Sequence, residues 1–250
     1  LISNCCQRLC ICMYPIHRVK NEYVQVLKGV EINRMNQVRN YQKELDKIIE
    51  QLSAGKETPS LLLHSCCAPC SSYCLEYLRQ YFKITVFYYN PNISMEEEYR
   101  KRVAEQKRLI AAYNAQNLYY PIDVIEGDYE TEAFYQIAKG LEQCHEGGER
   151  CFACYELRLR KTAQLAADMG ADYFTTTLTI SPLKNAAKLN EIGERLSGEY
   201  HIPWLVSDFK KKNGYKRSIE LSAEYDLYRQ DYCGCIYSKI ERENQKKERT

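Results

Sequence analysis

Residues 61–70 read LLLHSCCAPC. Three leucines and a histidine make a short apolar run of the kind that forms a buried strand. The run ends on two adjacent cysteines, and a third thiol follows behind Ala68-Pro69. In an open α/β sheet the carboxyl ends of the strands are where ligands bind. A phosphate cradle at such a turn needs glycines and free backbone N–H groups. Ser65-Cys66-Cys67-Ala68-Pro69-Cys70 has no glycine, and its proline lacks a donor, which argues against ATP activation there.

Outward from this turn the pattern alternates. SSYCLEYLRQY (71–81) predicts a helix, and KITVFYY (83–89) a strand broken by Asn90-Pro91-Asn92. Residues 94–116 predict a long charged helix with Met95, Tyr99, Val103, Leu109, Ile110 and Tyr113 on its inner face. LYYPI (118–122) predicts a short strand, with Pro121 at an edge or an end. Helix is expected over 130–141 and over 151–170, the latter closed by Gly170 as a C-cap. DYFTTTL (172–178) and HIPWLVS (201–207) predict strands around a helix at 185–197, and the tail from Tyr215 reads as helix interrupted at DYCGC. Strand–helix alternation of this kind predicts an α/β domain with a largely parallel sheet and helical additions.

Upstream, Val38, Tyr41, Leu45, Ile48, Ile49 and Leu52 recur at helical spacing in MNQVRNYQKELDKIIEQL. Residues 1–34 have no clear period and read as an upstream extension, with Met35 near the natural start and 35–250 as a single domain. The first residues lack a continuous apolar stretch and a small-residue cleavage site, so no secretory signal is expected. No segment approaches the run of about 18 apolar residues that would span a membrane. At 250 residues with a net charge of +2, the chain carries no polybasic coat, so nucleic-acid contact would have to come from a local patch. The 22 tyrosines offer stacking surface with a polar tip.

Thirteen cysteines in a chain this large point to metal or redox chemistry rather than disulfide staples, and to a reducing, cytoplasmic setting. Three groupings stand out: Cys66, Cys67 and Cys70; Cys151 and Cys154; and Cys233 and Cys235. Cys151 and Cys154 open a helix, whose dipole favours thiolates. Gly234 lets Cys233 and Cys235 turn toward one point. Thiolates from three segments converging on a strand-end crevice suit a soft metal. Seven are too many for one zinc ion; four for a cubane iron–sulfur cluster leave three for a second metal or a redox role. Cys74 and Cys144 read as ordinary core residues.

The segments LHSCCAPCSS, FYYNPNI, EGGERCFACYELRL, FTTTLTISPLKN, DFKKKNGYKRS and YRQDYCGCIYS, in this order, resemble the iron–sulfur epoxyqueuosine reductase family, QueH. The resemblance runs from about Met35 to about Ser238. It implies an adenine-nucleotide α-hydrolase-like (HUP-type) parallel-sheet fold. The activity it implies is the last step of queuosine biosynthesis, reduction of epoxyqueuosine to queuosine at the wobble position of tRNA, with an electron donor still to be identified. It further implies a [4Fe–4S] cluster beside one mononuclear iron. By the resemblance these seven thiols hold the two centres; the division preferred here gives Cys67, Cys151, Cys154 and Cys233 to the cluster and Cys66, Cys70 and Cys235 to the lone iron. The position of Cys70 carries Cys or Asp in the family.

Around that site, His64 and Asp231 are candidate proton donors or orienting groups. Lys210, Lys211, Lys212, Lys216 and Arg217 surround Asn213-Gly214 as a candidate tRNA patch, with Lys184 and Asn185 as further candidates. Tyr88, Tyr89 and Asn90 are candidates to stack on or read an extruded base. Arg150 and Arg158 could pair with phosphate or with cluster charge. Two rival readings share these residues: an iron–sulfur tRNA sulfur transferase, disfavoured by the glycine-free loop, and a zinc-stapled RNA-binding module without catalysis.

Overall fold

The computed structural model describes residues 39–248; the expected extension over 1–34, and Met35 as its boundary, lie outside the described residues. The elements run α1 (Tyr41–Gly55), β1 (Ser60–His64), α2 (Ala68–Leu78), β2 (Lys83–Tyr88), α3 (Glu96–Asn114), β3 (Asp123–Glu126), α4 (Thr131–Ala138), α5 (Glu149–Met169) and β4 (Tyr173–Thr176). A 3₁₀ turn (Thr177–Ile180), α6 (Ala186–Tyr200), α7 (Gly214–Glu224) and α8 (Ile236–Lys247) complete the chain. The four strands form one parallel sheet in the order β3-β2-β1-β4, with Leu63 paired to Val86 on one side and to Thr175 on the other. The strand order therefore reverses at β1, and the crevice above the ends of β1 and β4 is the switch point of the sheet.

The leucine run follows from burial on both faces, as parallel strands require. Leu61 and Leu63 pack with Leu45 and Ile49 of α1, Leu75 and Leu78 of α2, and Leu109 and Ile110 of α3. Leu62 points the other way, to Leu159 and Ala163 of α5 and Leu189 and Ile192 of α6. Each leucine removed from water contributes about 2 kcal/mol. On this second face α6 lies close to the Trp204 ring: a Cβ on Gly193 would sit 2.2 Å from Trp204 Cδ2. Gly170 ends α5 as expected, at φ 65°.

Two predicted strands are corrected. The segment 118–122 is not a strand; β3 starts at Asp123, where it pairs with Thr85. Asn114, at the end of α3, takes both backbone groups of Ile122 with its side chain, accepting from the N–H (2.8 Å) and donating to the carbonyl (3.0 Å), so the ladder begins one residue later. The segment 201–207 is reduced to one parallel bridge between Trp204 and Phe174. Asn190 of α6 explains this: its Oδ1 accepts from Ser207 N–H (3.0 Å), and its Nδ2 donates to Ser207 C=O (2.8 Å). Side-chain amides have replaced ladder partners in both places.

Candidate metal centre

β1 delivers its thiols through a turn locked from below. Cys67 is extended (φ −174°) and caps α2, and Pro69 falls in the first helical turn, where its missing N–H costs no hydrogen bond. Gln106, fully buried on α3, accepts from Ser65 Oγ (2.7 Å) and Ser71 Oγ (2.8 Å). Asn90, after β2, donates to Ser65 C=O (2.9 Å) and accepts from Arg158 Nη1 (3.1 Å). With both flanks of the turn fixed, the sulfurs of Cys66, Cys67 and Cys70 all lie within 4.8 Å of one another. Cys66 also meets the end of β4: its sulfur is 3.6 Å from Thr177 Oγ1.

These three sulfurs could bind a metal ion. Without one they behave as a shared acid. Hydrogen bonds from Cys67 and Cys70, with the Arg158 charge, hold Cys66 well below the usual thiol range. The same sharing pushes Cys67 up to about 12 and raises Cys70 well above the usual thiol range. A thiol held below its usual range beside two further thiols is a ligand set suited to a metal, because metals bind the deprotonated form.

Above the triad opens a cavity of about 410 Å³, with Cys66, Cys67, Cys70 and Cys233 at its base and Arg229, Asp231 and Arg242 among its wall residues. Behind it, Cys151, Cys154, Cys233 and Cys235 line a small enclosed chamber together with Arg150, Arg158 and Lys184. Cys233 and Lys184 belong to both spaces. Gly234 makes this turn possible: its φ is +120°, and a Cβ there would meet Ile93 Cγ1 at 2.9 Å. Arg102 fixes the turn by donating to Cys233 C=O (3.1 Å), and Ser94 N–H donates to Gly234 C=O (3.1 Å). Lys184 Nζ reaches Cys233 Sγ (3.3 Å) and Glu146 Oε1 (2.9 Å).

The helix-dipole expectation for Cys151 and Cys154 is corrected for the free thiols. Burial outweighs the dipole and raises both, Cys154 to about 12. The chamber instead supplies full cations. Arg158 is 1% exposed and Arg150 2%. Arg158 Nη2 and the Nε and Nη2 of Arg150 are buried with no hydrogen-bond partner among the described residues. Unpartnered buried guanidinium donors are costly. They fit a strongly anionic group held by the thiols, as a thiolate-ligated iron–sulfur cluster is.

The other predicted residues fall in different places. His64 is fully buried behind the triad, with Nδ1 2.8 Å from Thr176 Oγ1 and Nε2 3.1 Å from Tyr89 C=O. Burial lowers its pKa to about 3, which keeps the ring neutral. Asp231 is exposed on the cavity rim and paired with Lys246 (2.5 Å). Tyr88, Tyr89 and Asn90 are each 1% exposed, so their surfaces face protein rather than solvent. Tyr89 donates to Glu130 (2.9 Å), and Tyr88 donates to Cys66 C=O (3.4 Å).

In the predicted cationic patch, Lys210 pairs with Asp208, Lys212 with Asp46, Lys216 with Glu220, and Arg217 with Glu76; Lys211 is exposed. Asn185 caps α6, accepting from Lys188 N–H (3.0 Å). Cys74 is a core residue as expected. Sequence reasoning passed over Gln106, Arg102, Glu146, Arg229 and Arg242. Only the buried placement of Gln106 and Arg102 amid the apolar stripe of α3 carried a signal.

A parallel α/β sheet whose switch point is lined with thiols defines a class: an α/β protein with a cysteine triad that could bind a metal ion. A model of the family described as epoxyqueuosine reductase QueH matches residues 61–241. Among curated relatives, epoxyqueuosine reductase QueH of Streptococcus pyogenes serotype M1 is 43% identical over 203 residues, covering 81% of this chain and 79% of the relative. The protein of the same name from Staphylococcus epidermidis is 44% identical, covering 82% of this chain and 87% of its own length. That of Thermotoga maritima is 35% identical, covering 73% and 92%. The chain belongs to the epoxyqueuosine reductase QueH family.

Proposed function

We propose that this protein is an epoxyqueuosine reductase acting on tRNA in the cytoplasm, where thiols stay reduced. The observation that carries this reading is the set of seven thiols, of which Cys66, Cys67, Cys70 and Cys233 line a cavity of about 410 Å³ and Cys151, Cys154 and Cys235 a chamber that shares Cys233 with it. That volume lies in the range of small-molecule pockets, enough for one extruded nucleotide base with its cyclopentane substituent.

The reaction removes the epoxide oxygen. Two C–O bonds break, a carbon–carbon double bond forms, and the oxygen leaves as water after uptake of two electrons and two protons. When bound, a [4Fe–4S] cluster and a single iron would supply the electrons and a Lewis acid for the oxygen. The chain's own residues do the rest. Cys66 and Cys70, half-buried at the cavity base, present sulfur to the substrate side; Cys151, Cys154 and Cys233 hold the enclosed side. Tyr215 and Tyr232 line the cavity and offer rings for stacking the base. Lys184 sits where the two spaces meet and brings a cation to the oxygen-leaving end. His64, neutral and bridging the ends of β1, β2 and β4, orients the triad turn.

Cys67 and Cys235 are the two thiols whose assignment decides the division. The division preferred from the sequence puts Cys67 on the cluster and Cys235 on the lone iron, while Cys235 lines the chamber with Cys151 and Cys154. A Cys235→Ser variant separates the two: loss of one iron with full sulfide assigns it to the lone iron, and loss of sulfide assigns it to the cluster. The function itself is tested by incubating anaerobically reconstituted, reduced protein with tRNA carrying epoxyqueuosine and digesting the product. Queuosine formed without ATP supports the reading. No queuosine from protein with full iron and sulfide overturns it, and an ATP requirement would favour sulfur transfer.

A further inference from the structure

The cavity rim carries a different kind of cation from the lysine run. In the run, four of the five cations already face carboxylates, at 2.9 Å for Lys210, 2.7 Å for Lys212, 4.0 Å for Lys216 and 2.7 Å for Arg217. Only Tyr215 and Ser218 of residues 210–218 line the cavity. Arg229 and Arg242 also line it, and their partners are neutral. Arg229 Nη1 donates to Ser222 Oγ (2.9 Å) and Ser218 C=O (3.5 Å). Arg242 donates to Asp231 C=O (3.0 Å) and Gln245 Oε1 (2.9 Å). Neither guanidinium forms an ion pair among the described residues. The nearby acid, Asp231, is paired with Lys246, and the Arg242 charge acts on the same carboxylate without an ion-pair contact.

The distinction decides which surface an RNA backbone chooses. A phosphate meeting a lysine already paired with a carboxylate must displace that carboxylate, or share the ammonium with it. A phosphate meeting a guanidinium hydrogen-bonded only to neutral acceptors has no carboxylate to displace from it, and finds spare N–H donors in a fork that matches phosphate oxygens. Position adds to charge: Arg229 precedes the Cys233–Cys235 turn and Arg242 follows it on α8, so the two flank the cavity above the thiols. Tyr215 and Tyr232 line the same cavity as the two arginines and the thiols.

We propose that Arg229 and Arg242 are the phosphate-binding residues of this protein. They hold the RNA backbone on either side of the nucleotide whose base enters the cavity, while the four carboxylate-paired cations Lys210, Lys212, Lys216 and Arg217 have no part in binding. This rests on the reading that tRNA is the substrate. It goes beyond that reading by assigning the RNA surface to the segment leading into the Cys233–Cys235 turn and to α8.

The test is the salt dependence of binding between epoxyqueuosine-bearing tRNA and the metal-loaded protein, measured by filter binding with iron content matched across variants. For a single-stranded segment, each phosphate that is no longer neutralised lowers the slope of log K against log salt by about 0.7. The double variant Arg229→Gln/Arg242→Gln is expected to bind at least tenfold more weakly and to lose about 1.4 from the slope. Arg229→Lys/Arg242→Lys, which keeps the charge, restores most of the slope, and Lys212→Gln/Lys216→Gln leaves it unchanged. A glutamine double variant with the wild-type slope, or a lysine-run variant that loses slope, overturns the proposal. Wild-type protein that binds with this arginine dependence yet forms no queuosine overturns the functional reading and leaves the surface assignment standing. Wild-type protein that does not bind tRNA at all overturns both.

Discussion

The thiols at the substrate side and those behind them are built in opposite ways. Cys66, Cys67 and Cys70 come from one turn of five residues, positioned by a strand end, a helix start and two serines on Gln106. Cys151, Cys154 and Cys235 come from a helix and a loop about 80 residues apart, and each is buried with arginines at its back. The first set is local, half-open and free to present a ligand position to the cavity. The second is long-range, closed and surrounded by cations whose N–H groups lack partners. Open coordination suits chemistry on a substrate, and closed coordination suits holding a group in place. The proposed division of labour would run across Cys233, Lys184 and Glu146, the residues common to both spaces.

Substitutions that attack the two sides should differ in kind. Cys154→Ser is expected to have the largest effect: sulfide and most of the iron are lost, and reductase activity disappears, as read by metal analysis and product digestion. Cys70→Ser should remove about one iron per chain while sulfide and the visible absorbance persist, with activity falling by at least a hundredfold; loss of sulfide here would erase the distinction between the sides. Arg158→Gln withdraws a buried positive charge from the closed side, so the oxidised form gains relative to the reduced form. The midpoint potential should fall by about 60 mV for each tenfold change in that ratio, and Arg158→Lys should recover part of the shift.

Smaller effects come from the scaffold. Gln106→Leu leaves Ser65 and Ser71 without their shared acceptor and should cost about 2 kcal/mol of stability, seen as a lower urea midpoint. The smallest belongs to Asp172, at the opposite end of the sheet from the thiols. There Ser60 N–H (2.8 Å) and Oγ (2.7 Å) donate to its carboxylate and hold its pKa below the usual 3.8. A lowered carboxylate pKa stabilises the fold above the unfolded value, and that stability disappears as pH falls through the folded value. Wild type should therefore exceed Asp172→Asn by under about 1 kcal/mol at pH 7, the gap closing below about pH 4, with metal content unchanged throughout.

Much of the molecule was legible from LLLHSCCAPC outward. The run buried on two faces, the thiols at a strand end and the Gly170 cap depend on local pattern, and local pattern is what a sequence displays. The strands expected at 118–122 and 201–207 failed for one physical reason: the side chains of Asn114 and Asn190 bind backbone that a ladder would have used, and neither asparagine is near its target in a way spacing reveals. The lysine run looked like a surface for phosphate because the acidic partners of Lys212 and Arg217, Asp46 and Glu76, lie 166 and 141 residues upstream. Arg229 and Arg242 looked ordinary singly; only the fold puts both on one cavity.

The proposal of two metal centres makes a stoichiometric demand. Iron, zinc and sulfide analysis of anaerobically purified wild type beside Cys70→Ser reads it without any assumption about substrate. About five iron and four sulfide per chain are expected in the wild type, and about four of each in the variant. Zinc without sulfide in protein kept from oxygen, or equal loss of iron and sulfide on removing Cys70, would contradict the two-centre arrangement.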